Sequence, residues 1–269
     1  MSDKVIISVA PVSASSTRVL PEEVAREVIK SADYGAAIVH LHVRDTNGAL
    51  TPDVSDFQQT INAIHQNTNL IIQASTGGVS SMTIEQRCAP LECPHVEMAS
   101  LNVGSVNLGT HIYMNPADDV RYCSKRIVDK RIIPEFEVFE LGMVHNINIL
   151  MEEINFVQPM LYNIVLGHKG STPATIDMLI AMRQAIPAGA LWGITHFDRR
   201  DFSLIAAAVG MGACEVRIGF EDSYYINATE KVEENYLLVN KLATLIKAMD
   251  KQVATPDEAR KMLGIATQK

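Results

Sequence analysis

No apolar run in this chain approaches the roughly 18 residues needed to cross a bilayer. Its first residues, Met1-Ser2-Asp3-Lys4, lack the charged-then-apolar pattern of a secretory leader. These absences exclude a membrane span and read as a cytoplasmic protein. Basic residues are few: 23 Lys and Arg stand against 31 Asp and Glu, a formal net charge of −8. With no basic stripe to neutralise phosphates, a nucleic-acid surface is excluded. Cysteine is sparse as well. Cys88, Cys93, Cys123 and Cys214 sit at unrelated spacings, which argues against a zinc knuckle and for free buried thiols in a reducing compartment. Also missing is a G-x-G-x-x-G after the first strand-like run, which removes the usual dinucleotide-binding form of an open α/β sheet.

What the sequence does contain is a regular alternation. The chain is 269 residues long, 47% hydrophobic and 20% charged, ample for one large core. Short β-rich runs are expected at Val5–Val12, Ala37–Val43, Leu70–Ser75, Val96–Asn102, Ile132–Phe139, Met160–Leu166, Leu191–His196 and Cys214–Ile218. Helical patterns separate them. Pro21-Glu22-Glu23 opens the first, and Asp53–Gln66, Thr83–Ala89, Asp118–Asp129, Met143–Glu153, Thr172–Ile186, Phe202–Val209 and Thr229–Met249 follow. Thr172-Pro173 and Asn227-Ala228-Thr229 read as helix starts. Eight apolar strands, each followed by a helix, predict a single-domain (β/α)8 TIM barrel spanning residues 1–269, with a C-terminal helical extension.

In such a barrel the chemistry gathers at the carboxyl ends of the strands. Val39-His40-Leu41-His42-Val43-Arg44-Asp45 places two imidazoles on one face of an extended strand, half of a site that wants one more ligand and an open position. The same spacing also suits a hydrogen-bonded histidine pair lining a cleft. Further along lie Ser75-Thr76-Gly77-Gly78, Ser100-Leu101-Asn102, the alternating pair Glu135 and Glu137, His196, and the closing Arg217-Ile218-Gly219-Phe220-Glu221-Asp222. Strands two and eight both border strand one in a closed barrel, so Glu221 is within reach of a metal held by His40 and His42. Asp222 beside Arg217 is expected to stay ionised and act as a general base. Without the two histidines, the Arg217 segment reads first as a surface Arg–carboxylate salt bridge.

Taken in order, H-L-H-V-R-D, S-T-G-G, S-L-N, P-E-F-E-V-F and R-I-G-F-E-D resemble the β-keto acid cleavage enzymes over about Val5 to Leu245. The resemblance implies a zinc-dependent barrel enzyme, usually a homotetramer, that condenses a β-keto acid with acetyl-CoA to give acetoacetate and a new acyl-CoA. It implies one Zn2+ per subunit on His40, His42 and Glu221, and acetyl-CoA as cosubstrate. Asp222 supported by Arg217 would transfer the proton, and Glu137 would orient substrate or assist. Thr76 and Gly77 would hold the keto acid's carboxylate, with Ser100 and Asn102 around the thioester carbonyl and substrate.

Departures are informative. Where the 3-keto-5-aminohexanoate members carry a glutamate, this chain has Ser15, so an amino-substituted substrate is not expected. The loop holding it is shorter than the family's. After strand seven the family's G-I-G-R is replaced by Thr195-His196-Phe197-Asp198-Arg199-Arg200. His196, Arg199 and Arg200 there would either bind an anion at the pocket mouth or pair locally with Asp198 and Asp201. Two other readings stand beside the family reaction: a CoA-independent metal-dependent aldolase or hydrolase, and a non-enzymatic binding protein.

Overall fold

Alternation along the strands decides which residues face the barrel axis and which face the helices. The computed structural model describes residues 3–266; Met1 and Ser2 of the leader reading lie outside them. In chain order the first half comprises β1 (Lys4–Val9), α1 (Pro21–Asp33), β2 (Ile38–Leu41), α2 (Ser55–Asn67), β3 (Ile71–Ser75), α3 (Ile84–Arg87), β4 (Val96–Asn102), β5 (Val106–Leu108), β6 (His111–Tyr113) and α4 (Ala117–Asp129). The second half comprises β7 (Ile133–Val138), α5 (Leu141–Glu153), β8 (Leu161–Leu166), α6 (Ile176–Ala185), β9 (Leu191–His196), α7 (Ser203–Gly210), β10 (Glu215–Ile218), α8 (Asn235–Ala248), β11 (Gln252–Val253) and α9 (Pro256–Leu263). Strands β1, β2, β3, β4, β7, β8, β9 and β10 run parallel in that order, and pairing of β10 with β1 closes the barrel. The expected single-domain (β/α)8 barrel is the fold found.

The outward residues of β1, Val5, Ile7 and Val9, join a large cluster with apolar faces of the surrounding helices, including Val28 of α1 and Phe57, Ile61 and Ile64 of α2. The inward residues stack in layers. At the amino end of the barrel Ile6, Ile38, Ile71, Met98, Ile133 and Leu161 meet Ala259 and Leu263, so α9 plugs this end. A capping box of Thr255 and Glu258 starts α9, and Gly264 in the left-handed region ends it. Two residues further along each strand the interior turns polar: Ser8, His40, Gln73, Ser100, Glu135 and Asn163 are all buried. Another step brings His42, Ser75, Asn102, Glu137 and Arg217 toward the open end. A period of two thus carries the chain from apolar plug to polar floor.

Several expected boundaries shift. Residues 227–234 form a turn rather than a helix start: the Asn227 side chain accepts the backbone N–H groups of Thr229 and Glu230, and α8 begins only at Asn235. Thr172 does not open α6. Its hydroxyl donates to Glu140, and Thr175 is the N-cap instead. The hairpin of β5 and β6 has no counterpart among the sequence expectations. All four cysteines are free and buried, and no helix among the described residues is long and apolar enough to cross a membrane.

Candidate active site

Three side chains converge above the polar floor. His40 Nε2 lies 3.4 Å from His42 Nε2, His42 Nε2 lies 3.3 Å from Glu221 Oε1, and His40 Nε2 lies 3.7 Å from the same oxygen. Both imidazoles present the ring nitrogen needed. His42 Nδ1 donates to the Gly77 carbonyl at 3.2 Å, and His40 Nδ1 to Gln73 Oε1 at 2.6 Å, which leaves each Nε2 lone pair facing the centre. Burial lowers the His40 pKa to about 3, so the ring is neutral. These separations match the edges of a tetrahedron with bonds of about 2.0–2.1 Å, whose edge is about 3.3 Å. The donor set fits a divalent cation with an open position, and among the described residues it is the group that has this form.

Glu221 arrives by way of a sharp turn after β10. Gly219 has φ +142°, and a Cβ there would lie 2.2 Å from the Ala10 carbonyl oxygen, so only glycine fits. The turn is secured by Glu221 N–H donating to Ala10 and by Phe220 N–H donating to Asn235 Oδ1. Burial alone would raise Glu221, but His42, His40 and Arg217 outweigh it and hold its pKa well below the usual range.

Arg217 is the hub of the remaining charges. Its Nε and Nη2 donate to Asp222 at 3.1 and 2.8 Å, its Nη1 donates to Glu137 at 2.9 Å, and Nη2 lies 3.4 Å from Glu221. The guanidinium is 4% exposed, so three carboxylates share one desolvated cation. Burial raises Glu137 to about 7 against the pull of Arg217. Asp222 moves the same way: burial lifts it more than Arg217 lowers it. The Arg217–Asp222 pair is present as a buried two-point contact, and desolvation makes the carboxylate a stronger base than a surface aspartate.

These groups form the floor of an open cavity of about 690 Å³ at the carboxyl ends of the strands. Its walls come from residues the sequence did not single out: Tyr113 of the hairpin, Phe139, His168 and Phe197. His168 stacks on Phe197 with ring centroids 3.8 Å apart, and burial holds its pKa at about 4, so this wall is uncharged. For Phe139, His168 and Phe197, position after strands β7, β8 and β9 was the one available signal. Of the glycine turn, Ser75 and Gly78 border the cavity. Thr76 instead donates its hydroxyl to the Ser100 carbonyl, and Gly77 is pressed against Tyr113, whose hydroxyl oxygen would lie 1.5 Å from a Cβ there. Ser100 and Asn102 are buried beneath, and neither amide atom of Asn102 has a protein partner.

His196, Arg199 and Arg200 are not among the residues bordering the cavity. Arg199 is buried, donates to the Tyr225 carbonyl and lies over the Phe202 ring; Arg200 lies 3.7 Å from Asp198 and over Tyr225; Asp201 accepts the Ser203 N–H. Of the two readings for this segment, these contacts are the local ones. Ser15 pairs with Ser13 at 3.0 Å, and it is Ala14 that borders the cavity.

A family model described as beta-keto acid cleavage enzyme matches residues 4–265. The chain belongs to the beta-keto acid cleavage enzyme family. It is 37% identical to the 3-keto-5-aminohexanoate cleavage enzyme of Fusobacterium nucleatum subsp. nucleatum, over 98% of this chain and 99% of that one. It is 28% identical to the 3,5-dioxohexanoate:acetyl-CoA acetone transferase of Paraburkholderia graminis, over 97% of this chain and 96% of that one. Among solved structures, apo ObcA aligns with a TM-score of 0.77 at 19% identity, covering 93% of this chain. The chain spans 65% of the ObcA chain. That likeness concerns the barrel fold alone.

Proposed function

We propose that this member of the family condenses a β-keto acid with acetyl-CoA, giving acetoacetate and a new acyl-CoA. The observation that carries the reading is the meeting of His40, His42 and Glu221 with the Arg217–Asp222–Glu137 group on one cavity floor. His40, His42 and Glu221 would hold one zinc ion per subunit, nitrogen-rich ligands favouring that ion. When bound, the cation supplies Lewis-acid polarisation of a ketone oxygen. Asp222 takes the proton. Its two oxygens are oriented by Nε and Nη2 of Arg217, and burial raises its pKa above that of a surface aspartate, which makes it the stronger base. Arg217 remains charged throughout and steadies negative charge as it develops. Glu137, tied to Nη1 of Arg217, orients substrate from the facing strand.

Further parts of the reading rest on position. Thr76 and Gly77 would place the keto acid's carboxylate end through the turn they build, and Ser100 and Asn102 would act around the carbonyl, Asn102 having its amide uncommitted. The substrate's distal end carries no ammonium group: the cavity carboxylates are engaged by Arg217 or the histidines, and Ala14, Ser13 and Ser15 offer no replacement. We read the protein as a cytoplasmic homotetramer. Leu141 and Ile149 of α5 and Ile176 and Ile180 of α6 stay exposed and suit a second copy, whereas the apolar face of α8 is spent on its own core.

Metal analysis together with substitution tests the assignment. Dialysed protein is expected to retain about one zinc per chain, and His40→Ala or Glu221→Ala to lose both the zinc and at least about 10³-fold of acetyl-CoA-dependent acetoacetate formation. Full activity in either variant would overturn it.

A further inference from the structure

Glu135, the inner member of the alternating pair on β7, plays no part in the chemistry above, yet it terminates an unbroken chain of buried hydrogen bonds that begins at His40. His40 Nδ1 meets Gln73 Oε1 at 2.6 Å, and Gln73 Nε2 donates to Glu135 Oε2 at 2.9 Å. From the other side Thr195 Oγ1 donates to Asn163 Oδ1 at 3.1 Å, and Asn163 Nδ2 donates to Glu135 Oε1 at 2.9 Å. Gln73, Glu135, Asn163 and Thr195 are 0% exposed, so no solvent competes for these bonds. The direction of every bond follows from Glu135. A carboxylate only accepts, so the atom Gln73 turns toward it is nitrogen; its oxygen then faces His40, and His40 must carry its proton on Nδ1.

We propose that Glu135 is a positioning residue that, through Gln73, fixes the tautomer of His40 and so keeps its Nε2 lone pair available to the metal. His42 needs no such device, because a backbone carbonyl can only accept and already takes its Nδ1 proton. His40 faces an amide instead, and an amide can turn around. With a donor in place of Glu135, Gln73 would present Nε2–H to His40, the imidazole proton would move to Nε2, and one ligand would be lost. Partners of this kind typically contribute 10–100-fold to metal affinity. The inference rests on the metal reading of His40, His42 and Glu221.

The experiment is a competitive zinc titration against a chromophoric chelator, with nitrogen-15 NMR of the histidine ring nitrogens in the metal-free protein. Glu135→Gln, close in shape, is expected to weaken zinc 10–100-fold and to move the His40 proton from Nδ1 to Nε2. The double variant Glu135→Gln with Asn163→Asp returns an acceptor to the chain: the amide introduced on β7 donates to the carboxylate introduced on β8, and its own oxygen accepts from Gln73. It is expected to restore affinity to within about threefold and the Nδ1–H signal with it. Wild-type affinity and tautomer in Glu135→Gln, or no rescue in the double variant while its unfolding midpoint stays near that of the parent, would overturn the proposal. If zinc binding by the parent protein is insensitive to His40→Ala, the metal reading itself fails and takes this inference with it, an outcome visible before any Glu135 variant is made.

Discussion

Glu215 lies on the inward face of β10, fully buried, and neither carboxyl oxygen has a protein partner. Gly193 makes the room: a Cβ there would lie 2.1 Å from Glu215 Oε2. Burial, then the nearby Glu135, raise its pKa well above the ordinary range. A carboxyl whose folded pKa is raised contributes its full stability below the unfolded value and loses it as pH rises toward the folded one. Glu215→Gln removes that loss. It is expected to raise stability at neutral pH by about 1–3 kcal/mol and by less in mild acid; urea melts at both pH values check this, and destabilisation at neutral pH would count against it. Glu137 sets a different pH effect. With its pKa at about 7, the Arg217 ion pair weakens as pH falls through that value, so kcat/KM is expected to drop on the acid side. Glu137→Gln should abolish the limb and lower the plateau by about 10²-fold. A limb that survives the substitution belongs to another group.

Elements divide the labour between the two ends of the barrel. Helix α9 closes the amino end with Ala259 and Leu263, and Arg260 secures it by donating to Glu97 and to the Asn69 carbonyl. Leu263→Ala is therefore expected to cost about 2–5 kcal/mol of stability while leaving turnover at moderate temperature unchanged; thermal melts beside initial rates would show the split, and a parallel loss of turnover would refute it. At the other end the turn after β10 governs the chemistry. Gly219→Ala should push Glu221 out of reach of the histidines and abolish zinc binding with little loss of secondary structure, read by metal analysis and circular dichroism. The misread elements share a cause. Asn227 and Thr172 carry helix-cap chemistry but use it for a turn and for a bond to Glu140. The β5–β6 hairpin is built from two three-residue strands, too short to show a period.

At the scale of the whole molecule, legibility follows the barrel's geometry. Residues projecting inward from strands announce themselves, because a polar side chain in an apolar alternating run has no packing reason to be there. His40, His42, Glu135, Glu137, Arg217 and the turn to Glu221 were readable on that ground. Tyr113, His168 and Phe197 were not: Tyr113 comes from the short β5–β6 hairpin and the other two from loops, whose paths depend on contacts distant in sequence, such as that of Tyr113 with Gly77. Gln73 is silent in the sequence for another reason, since its role appears only once Glu135 is seen beside it. Whether a single cavity joins a keto acid and an acetyl thioester is read by supplying the zinc-loaded protein with acetyl-CoA labelled at the carbonyl carbon and a panel of β-keto acids without ammonium groups. Label is expected at the ketone carbon of acetoacetate, with an acyl-CoA of the keto acid's remaining chain formed in equal amount. Keto acid consumed equally fast without acetyl-CoA, or no label from any acid in the panel, would contradict it.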